Sequence, residues 1–481
     1  MYDIAIIGGG ISGASLAYEL SKYQLKICVI EAENDVAVKT TKANSAILHA
    51  GYDPKPGSLN ARLNVEGAKL AKEICRKLDV PRKQLGSLVV AFSEEDLVTI
   101  QDLYERGNSN GVPDLQILSK EETLAKEPHL NQDIYGALFA PSAAVVNPWE
   151  YTIAMAEVAI QNDVEFYFNQ KVISINQLDS YFELQTETKL FESRIVVNAA
   201  GVHAGEIHEM VAEPTFKTIP RRGEYYLLDL EETDTVNHIV FQCPTKVGKG
   251  ILVAPTTHGN IIVGPNAENI PDEWVNTGQD TANTSLGLKD VASGARKSVP
   301  TINLANSIRN FSGVRANTDR EDFIIEKVVP GFYDMAGIKS PGLTAAPANS
   351  LYLIDLMEKD GLELVEKETY VDSRRRIHFN EASIEEKQEL INQNLDYGRI
   401  ICRCENITEA DIRASLHQTL PAQSVDGVKR RTIAGMGRCQ GGFCGPRVVE
   451  IIADELNISV LEVDLDRFNS HVLVSESKEV L

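Results

Sequence analysis

A chain of 481 residues, 43% hydrophobic and 24% charged, can form two or three globular domains, each with a sizeable core. Its net charge of −22 argues against nucleic acid or an anionic membrane surface as the main partner. No apolar run is as long as a membrane span and the first apolar run does not have a signal-peptide pattern. The reading is a cytoplasmic protein, with peripheral membrane docking through a partner left open.

The opening stretch, Tyr2 to Glu31, reads as strand, glycine turn, helix, strand and acidic end. Asp3 to Ile7 is a β-branched apolar run, as expected of a strand buried on both faces. Gly8, Gly10 and Gly13 follow in the spacing G-x-G-x-x-G, with Ile11 and Ser12 between the last two. The first glycine permits the turn, the second lets a pyrophosphate approach, and the third lets the helix pack on the sheet. Leu16 and Leu20 mark that helix, whose N-terminus offers N–H groups to an anion. Lys26 to Ile30 is the second strand, and Glu31 ends it where a carboxylate can hold ribose hydroxyls. These signals arrive in register and define a dinucleotide site in a Rossmann-type α/β domain.

Nicotinamide and flavin sites share this motif, so later stretches must separate them. Thr40, Thr41, Asn44 and Ser45 are small polar residues suited to a second phosphate and a flexible ring. His49 follows, then a helix over residues 61–78. The segment N-S-A-I-L-H-A-G-Y-D-P-K-P-G-S-L-N-A-R-L-N-V-E-G, beginning at Asn44, resembles the flavin-facing segment of the glycerol-3-phosphate dehydrogenase/oxidase branch of the D-amino-acid-oxidase-like FAD family. L-2-hydroxyglutarate oxidases carry a similar segment. The resemblance implies FAD as the cofactor and places His49 near flavin and substrate.

A strand over 85–92 and an acidic helix over 94–106 come next, followed by helices capped by Ser119 and by Asn147-Pro148. Residues 164–168, 171–175, 182–186 and 190–199 read as strands. By the resemblance, Val172 makes an adenine-side contact, and V-V-N-A-A-G, ending at Ala200 and Gly201, is similar to a second FAD fingerprint. From Pro220 the pattern alternates, with strands at 224–230, 238–242, 250–255 and 260–264. They form an antiparallel sheet, which this family inserts as a substrate wall over its flavin. Lys246 reads as a solvated loop charge. Lys249 precedes I-L-V-A-P-T and matches a K-G-x-x-V-A-P pattern of the oxidase branch, which makes it a candidate substrate contact.

S-G-V-R, with Gly313 on the cofactor side, reads as the end of a strand whose Arg315 points at the site. In the family this arginine binds the substrate anion, a role suited to a planar, permanently charged fork. G-I-K-S-P-G-L-T-A-A-P then opens the closing helix and is similar to the family's last FAD motif, bringing in Gly337, Ser340, Gly342, Leu343 and Thr344. A helix N-terminus there would stabilise negative charge on the reduced ring. The resemblance covers roughly residues 1–365, with FAD-binding parts at about 1–85, 140–215 and 305–365 and substrate parts at about 86–139 and 216–304. Residues 366–398 read as a linker and docking segment, and Arg374-Arg375-Arg376 within it as a solvated interdomain patch.

Of seven cysteines, Cys28, Cys75 and Cys243 are scattered packing residues. Cys402-x-Cys404 and Cys439-x4-Cys444 are paired, 34 residues apart, which favours a cofactor in a reducing compartment over disulfides. Thiolates suit zinc and iron–sulfur clusters alike. Thr408 caps a helix from Glu409, Gly445-Pro446 opens another, and small neighbours let backbone N–H groups approach the sulfurs. The spacing resembles the bacterioferritin-associated ferredoxin domain, which implies a small α-rich domain over 399–456 holding a [2Fe-2S] cluster on these four cysteines. The tail, 457–481, either covers a partner or packs back on the protein.

A flavin accepts a hydride and releases electrons singly, whereas a [2Fe-2S] cluster carries one at a time. The combination points to a dehydrogenase delivering electrons to another protein, a second flavoprotein or a quinone-linked subunit. This order of parts is similar to that of anaerobic glycerol-3-phosphate dehydrogenase catalytic subunits. In that reading Arg315, aided by Lys249, holds the anionic end of a secondary alcohol. His49 takes the hydroxyl proton as the hydride passes to flavin N5. Glycerol 3-phosphate is the leading substrate and an L-2-hydroxy acid such as 2-hydroxyglutarate the alternative. From a different class comes an electron-transfer subunit with no small-molecule substrate.

Overall fold

A computed structural model of the chain describes residues 1–244 and 250–478. Lys246 and Lys249 lie outside the described residues.

The strand Tyr2–Ile7 sits inside an eight-stranded sheet, parallel to Ile27–Ile30 on one side and Leu190–Asn198 on the other. Glu165–Tyr167 and Phe332–Ala336 extend the parallel part at its two sides. Val172–Gln177 and Phe182–Thr186 form an antiparallel hairpin that continues into Leu190–Asn198. The alternation of side chains explains why the opening strand is apolar throughout. Ile4 and Ile6 pack with Leu16, Leu20 and Leu353 of the helices Ile11–Leu20 and Gly342–Lys359. Ala5 and Ile7 face the opposite side, against Val172, Phe182 and Phe332.

The second sheet has nine strands. The four strands expected after Pro220 are present as Thr218–Leu228, Ile239–Gln242, Leu252–Pro255 and Ile261–Gly264. Their sheet is larger than expected and not wholly antiparallel, because Ile239–Gln242 runs parallel to Ser87–Ala91. That pairing brings Gln116–Ser119 and Gly136–Ala140 into the same sheet. A further difference concerns Arg315, which does not end a strand. Ser307–Thr318 pairs along the whole of Thr218–Leu228, and Arg315 stands within it, opposite Arg221.

The capping signals at Ser119 and Asn147 are realised: Ser119 and Glu122 form a capping box on Lys120–Lys126, and Asn147 caps Pro148–Gln161. Ser58, not read as a cap from the sequence, caps Leu59–Lys77. Cys28, Cys75 and Cys243 are buried.

The C-terminal module consists of helices Glu409–His417, Val425–Thr432 and Gly445–Leu456 around Ile412, Val428, Ile451 and Ile452, with a short strand pair at its start. The tail packs back on it, since Val425 and Asp426 donate their N–H groups to Asp464 and Leu465 carbonyls at 3.0 and 2.8 Å.

The segment 366–398 corrects the sequence reading. It contains a capped helix, Ile384–Gln393, and Arg374 is not solvated. Arg374 Nε lies 2.5 Å from the Glu157 carboxylate, and Arg376 donates to Glu150 at 2.5 Å. Both carboxylates are buried on the helix Pro148–Gln161 and need cations beside them, so the arginines pin the segment to the dinucleotide domain. Among the described residues no helix is long and apolar enough to cross a membrane.

Candidate functional site

At the ends of the parallel strands opens a cavity of about 720 Å³, within the roughly 300–1,000 Å³ of small-molecule sites. The sequence candidates Gly8, Gly10, Ile11, Ser12, Glu31, Thr40, Thr41, Asn44, Ser45, Val172, Ala200, Gly201, Ser340, Gly342 and Leu343 all line it, together with His49 and Arg315. Gly13, Gly313, Gly337 and Thr344 do not; they shape the wall from behind. Gly313 packs on Ala43, and Thr344 Oγ1 accepts from the His49 N–H at 2.9 Å.

The opening turn requires its glycines. Gly8 has φ +110°, and a Cβ there would lie 2.5 Å from the Ala199 carbonyl oxygen. A Cβ on Gly13 would meet the Gly8 carbonyl oxygen at 1.9 Å. The Glu31 carboxylate accepts from the N–H groups of Gly9 and, at 2.8 Å, Glu33. Burial pushes its pKa up. Gly10 caps Ile11–Leu20 without a side chain, so the helix start is open to an anion, and Thr41 Oγ1 accepts from Ile11 N–H at 3.1 Å. Asn44 ties the next loop, donating to Thr41 O and accepting from Ala46 N–H, both at 2.7 Å. This glycine cradle, buried carboxylate and open helix start fit a dinucleotide.

Farther along the cavity, His49 Nε2 lies 3.2 Å from Ser340 Oγ, and its ring stacks on Phe241 with centroids 5.9 Å apart. Arg315 donates to the Asn266 carbonyl at 3.3 Å. Arg221 faces it across the ladder, and burial, then the Arg315 charge, lowers the pKa of Arg221. Tyr225 also lines the cavity, its hydroxyl 3.3 Å from Ser45 Oγ. Sequence reasoning missed Arg221, Tyr225 and Phe241. The pair Arg221-Arg222 at a strand start was the one available signal, because a register between distant strands has no local sequence mark.

The cysteine loops meet as pairs. Cys404 and Cys439 sulfurs are 3.7 Å apart and exposed, while Cys402 and Cys444 are buried. The Cys444 thiol and backbone N–H groups of Gly435, Glu405 and Cys404 hold the Cys402 pKa down to about 6, against the effect of burial. A thiolate at neutral pH is the form that binds metal. Among the described residues no group of three or more such ligands gathers around a single ion position. Four cysteine sulfurs on two loops are a donor set that suits an iron–sulfur cluster.

The module is anchored beside the dinucleotide loop. Asp35 receives Arg430 and Arg431, each at 2.6 Å, with all three side chains buried. Arg438 pairs with Asp229 at 2.8 Å, and Lys42 with Asp426 at 3.2 Å.

A dinucleotide cavity under an inserted sheet, joined to a four-cysteine module, defines a flavin-dependent oxidoreductase with an iron–sulfur domain. Residues 3–356 match the FAD dependent oxidoreductase family and residues 400–454 the BFD-like [2Fe-2S] binding domain, and the chain belongs to that oxidoreductase family. It is 48% identical to a glycerol 3-phosphate dehydrogenase of Caloramator mitchellensis, over 99% of each chain. A glycerol 3-phosphate oxidase of Mycoplasma genitalium is 35% identical over 74% of this chain and 94% of its own. The structure of dithionite-reduced L-alpha-glycerophosphate oxidase from Mycoplasma pneumoniae, with FAD bound, matches with a TM-score of 0.73 at 32% identity, covering 78% of this chain and 99% of that one. The human mitochondrial L-2-hydroxyglutarate dehydrogenase is 30% identical over 68% of this chain and 80% of its own. The cofactors are FAD and a [2Fe-2S] cluster.

Proposed function

We propose that this chain oxidises sn-glycerol 3-phosphate to dihydroxyacetone phosphate and passes the electrons through its [2Fe-2S] domain to a partner protein. The observation that carries the reading is the pairing of Arg315 with Arg221 beside a cavity that His49 also lines. Like charges directly opposite in a ladder repel, and a dianionic phosphate relieves that repulsion better than a single carboxylate. Likeness over nearly the whole chain to a glycerol 3-phosphate dehydrogenase supports the same substrate.

When bound, FAD supplies a two-electron acceptor and the cluster a one-electron carrier. Arg315 grips the phosphate and so fixes the secondary alcohol relative to His49. His49, oriented by Ser340, takes the hydroxyl proton at Nε2, a role that requires a neutral imidazole. Glu31 would hold the ribose hydroxyls of FAD, and the helix start at Ile11 would supply N–H groups to its pyrophosphate. The start of Gly342–Lys359 favours negative charge on the ring. Cys402, Cys404, Cys439 and Cys444 hold the cluster. The catalytic part ends near residue 365 and the cysteine module begins near 399. The partner is a second flavoprotein or a quinone-linked subunit, and the free thiols fit a cytoplasmic setting.

Anaerobic bleaching of the flavin by glycerol 3-phosphate, L-2-hydroxyglutarate, L-lactate and L-proline tests the substrate. Rapid bleaching by glycerol 3-phosphate alone is expected. Bleaching by L-2-hydroxyglutarate instead would transfer the same machinery to a hydroxy acid, the reading that the hydroxyglutarate dehydrogenases favour. His49→Ala should slow the reduction at least a hundredfold, within the roughly 10²–10⁴-fold range of a positioned base. An undiminished rate would remove His49 from that role.

A further inference from the structure

His49 lines two spaces, the large cavity and a small chamber of about 30 Å³. The chamber is lined by Val89, Leu103 and Phe241 and by the polar residues Tyr52, Asp53, Asn64 and Gln242, of which Gln242 donates to Gly294 O and Ser298 Oγ. Asn64, on the helix Leu59–Lys77, is 1% exposed, and neither its Oδ1 nor its Nδ2 has a hydrogen-bond partner. Its amide nitrogen lies against the turn that follows His49, where a Cβ on Gly51 would come within 3.2 Å of it.

A buried amide with no partner is costly, and native proteins satisfy such groups with protein or ordered water. A water requires roughly 10–15 Å³ of such space and two to four polar partners, so the chamber accommodates one or two. Asn64 offers two unpartnered polar atoms and His49 and Asp53 line the same space, while Val89 and Leu103, each 2% exposed, form its apolar side.

We propose that an ordered water held by the Asn64 amide fills this chamber and carries the proton from His49 to the Asp53 carboxylate. The proposal rests on the reading of His49 as the base. The substrate O–H bond breaks as an N–H bond forms on His49. The ring then gives a proton to the water as the water gives one of its own to Asp53. The water is restored and the ring is neutral again, in the tautomer that carries its proton on Nε2 and must exchange that proton before the next turnover. Asp53, which is part-exposed, releases the proton to solvent. Asn64 is a positioning residue in this scheme: it fixes the water and does not touch the substrate.

The test is turnover of the holoenzyme with glycerol 3-phosphate and dichlorophenolindophenol, in water and in deuterium oxide. Asn64→Leu keeps the side-chain volume and removes the hydrogen bonds. It should lower kcat about tenfold, change KM less than twofold and enlarge the solvent isotope effect on kcat. Asn64→Ser, which keeps a hydroxyl for the water, should stay within about threefold of the parent kcat. Val89→Ile fills the same space with Asn64 intact and should reproduce the loss, which keeps the test decisive if Asn64→Leu folds poorly. A dry chamber predicts the opposite: unchanged kcat and isotope effect in Asn64→Leu and Val89→Ile, with a raised melting temperature in Asn64→Leu, and that result overturns the proposal. Failure of the underlying reading is separate, since it shows as undiminished flavin reduction in His49→Ala whatever the Asn64 variants do.

Discussion

Asp35→Asn should loosen the cysteine module from the dinucleotide domain. Asp35 is buried and accepts from Arg430 Nη2 at 2.6 Å and from Arg431 Nη1 and Nη2 at 2.6 and 2.9 Å. Arg430 keeps Asp426, at 2.5 Å, but Arg431 loses its one carboxylate among the described residues and keeps neutral acceptors alone, the amide oxygen of the new asparagine and the carbonyls of Leu420 and Gly427. Removing one partner of a buried ion cluster costs about 3–5 kcal/mol, because the remaining charge is stranded. At about 2–4 °C per kcal/mol for a unit of 150–250 residues, the expected fall in melting temperature is about 6–20 °C. Calorimetry of the holoprotein, with flavin fluorescence recorded in parallel, measures it. Flavin should be released early, because Ala37, in the same loop, donates its N–H to Gly9 O at 3.2 Å. Burial alone would raise the pKa of Asp35, but Arg431 and Arg430 outweigh it and the net shift is downward. A depressed carboxyl contributes stability above its unfolded pKa of about 3.9 and loses it as pH falls through the folded value. The difference between parent and variant should therefore be constant from about pH 5 to 8 and shrink below about pH 4. A melting temperature within 2 °C of the parent at pH 7 would refute the reasoning.

Glu31→Ala removes a carboxylate that accepts two backbone N–H bonds, and at about 1.5–3 kcal/mol for charged hydrogen bonding the FAD dissociation constant should rise about 10–100-fold, read by flavin fluorescence. Arg315→Lys keeps the charge but loses the planar fork, so kcat/KM for glycerol 3-phosphate should fall at least tenfold while flavin content stays unchanged. Cys444→Ser should abolish bound iron and the cluster absorbance yet leave anaerobic flavin reduction intact; reduction that fails with the iron would mean that the two centres are not functionally separable.

Much of the dinucleotide cavity was legible because its determinants are local. Gly8, Gly13 and Glu31 act through a turn, a helix start and a strand end within one stretch of chain, and Ser119 and Asn147 announce their helices by capping chemistry that extends over three residues. The paired spacing of Cys402, Cys404, Cys439 and Cys444 was legible for the same reason, since each pair occupies one loop.

Pairings between distant segments were not legible. Arg221 stands opposite Arg315 only because a strand that begins at residue 307 is registered against one that begins at 218. Arg374 reads as a surface charge until the helix Pro148–Gln161 presents Glu150 and Glu157 beneath it. The cost of burying those carboxylates exists only in the folded state. Asn64 is one polar residue on an amphipathic helix, and its isolation beside His49 emerges only when the nine-stranded sheet and the helices Leu59–Lys77 and Glu94–Asn110 come together at a space of about 30 Å³. Short spacing thus marked a dinucleotide site and a four-cysteine site, because backbone geometry and ligand type are properties of contiguous residues, while FAD, the [2Fe-2S] cluster and the class of chemistry were implied by the family resemblance of those stretches. Charge partners and enclosed space belong to pairs of segments far apart in the chain, so tertiary structure alone decided them.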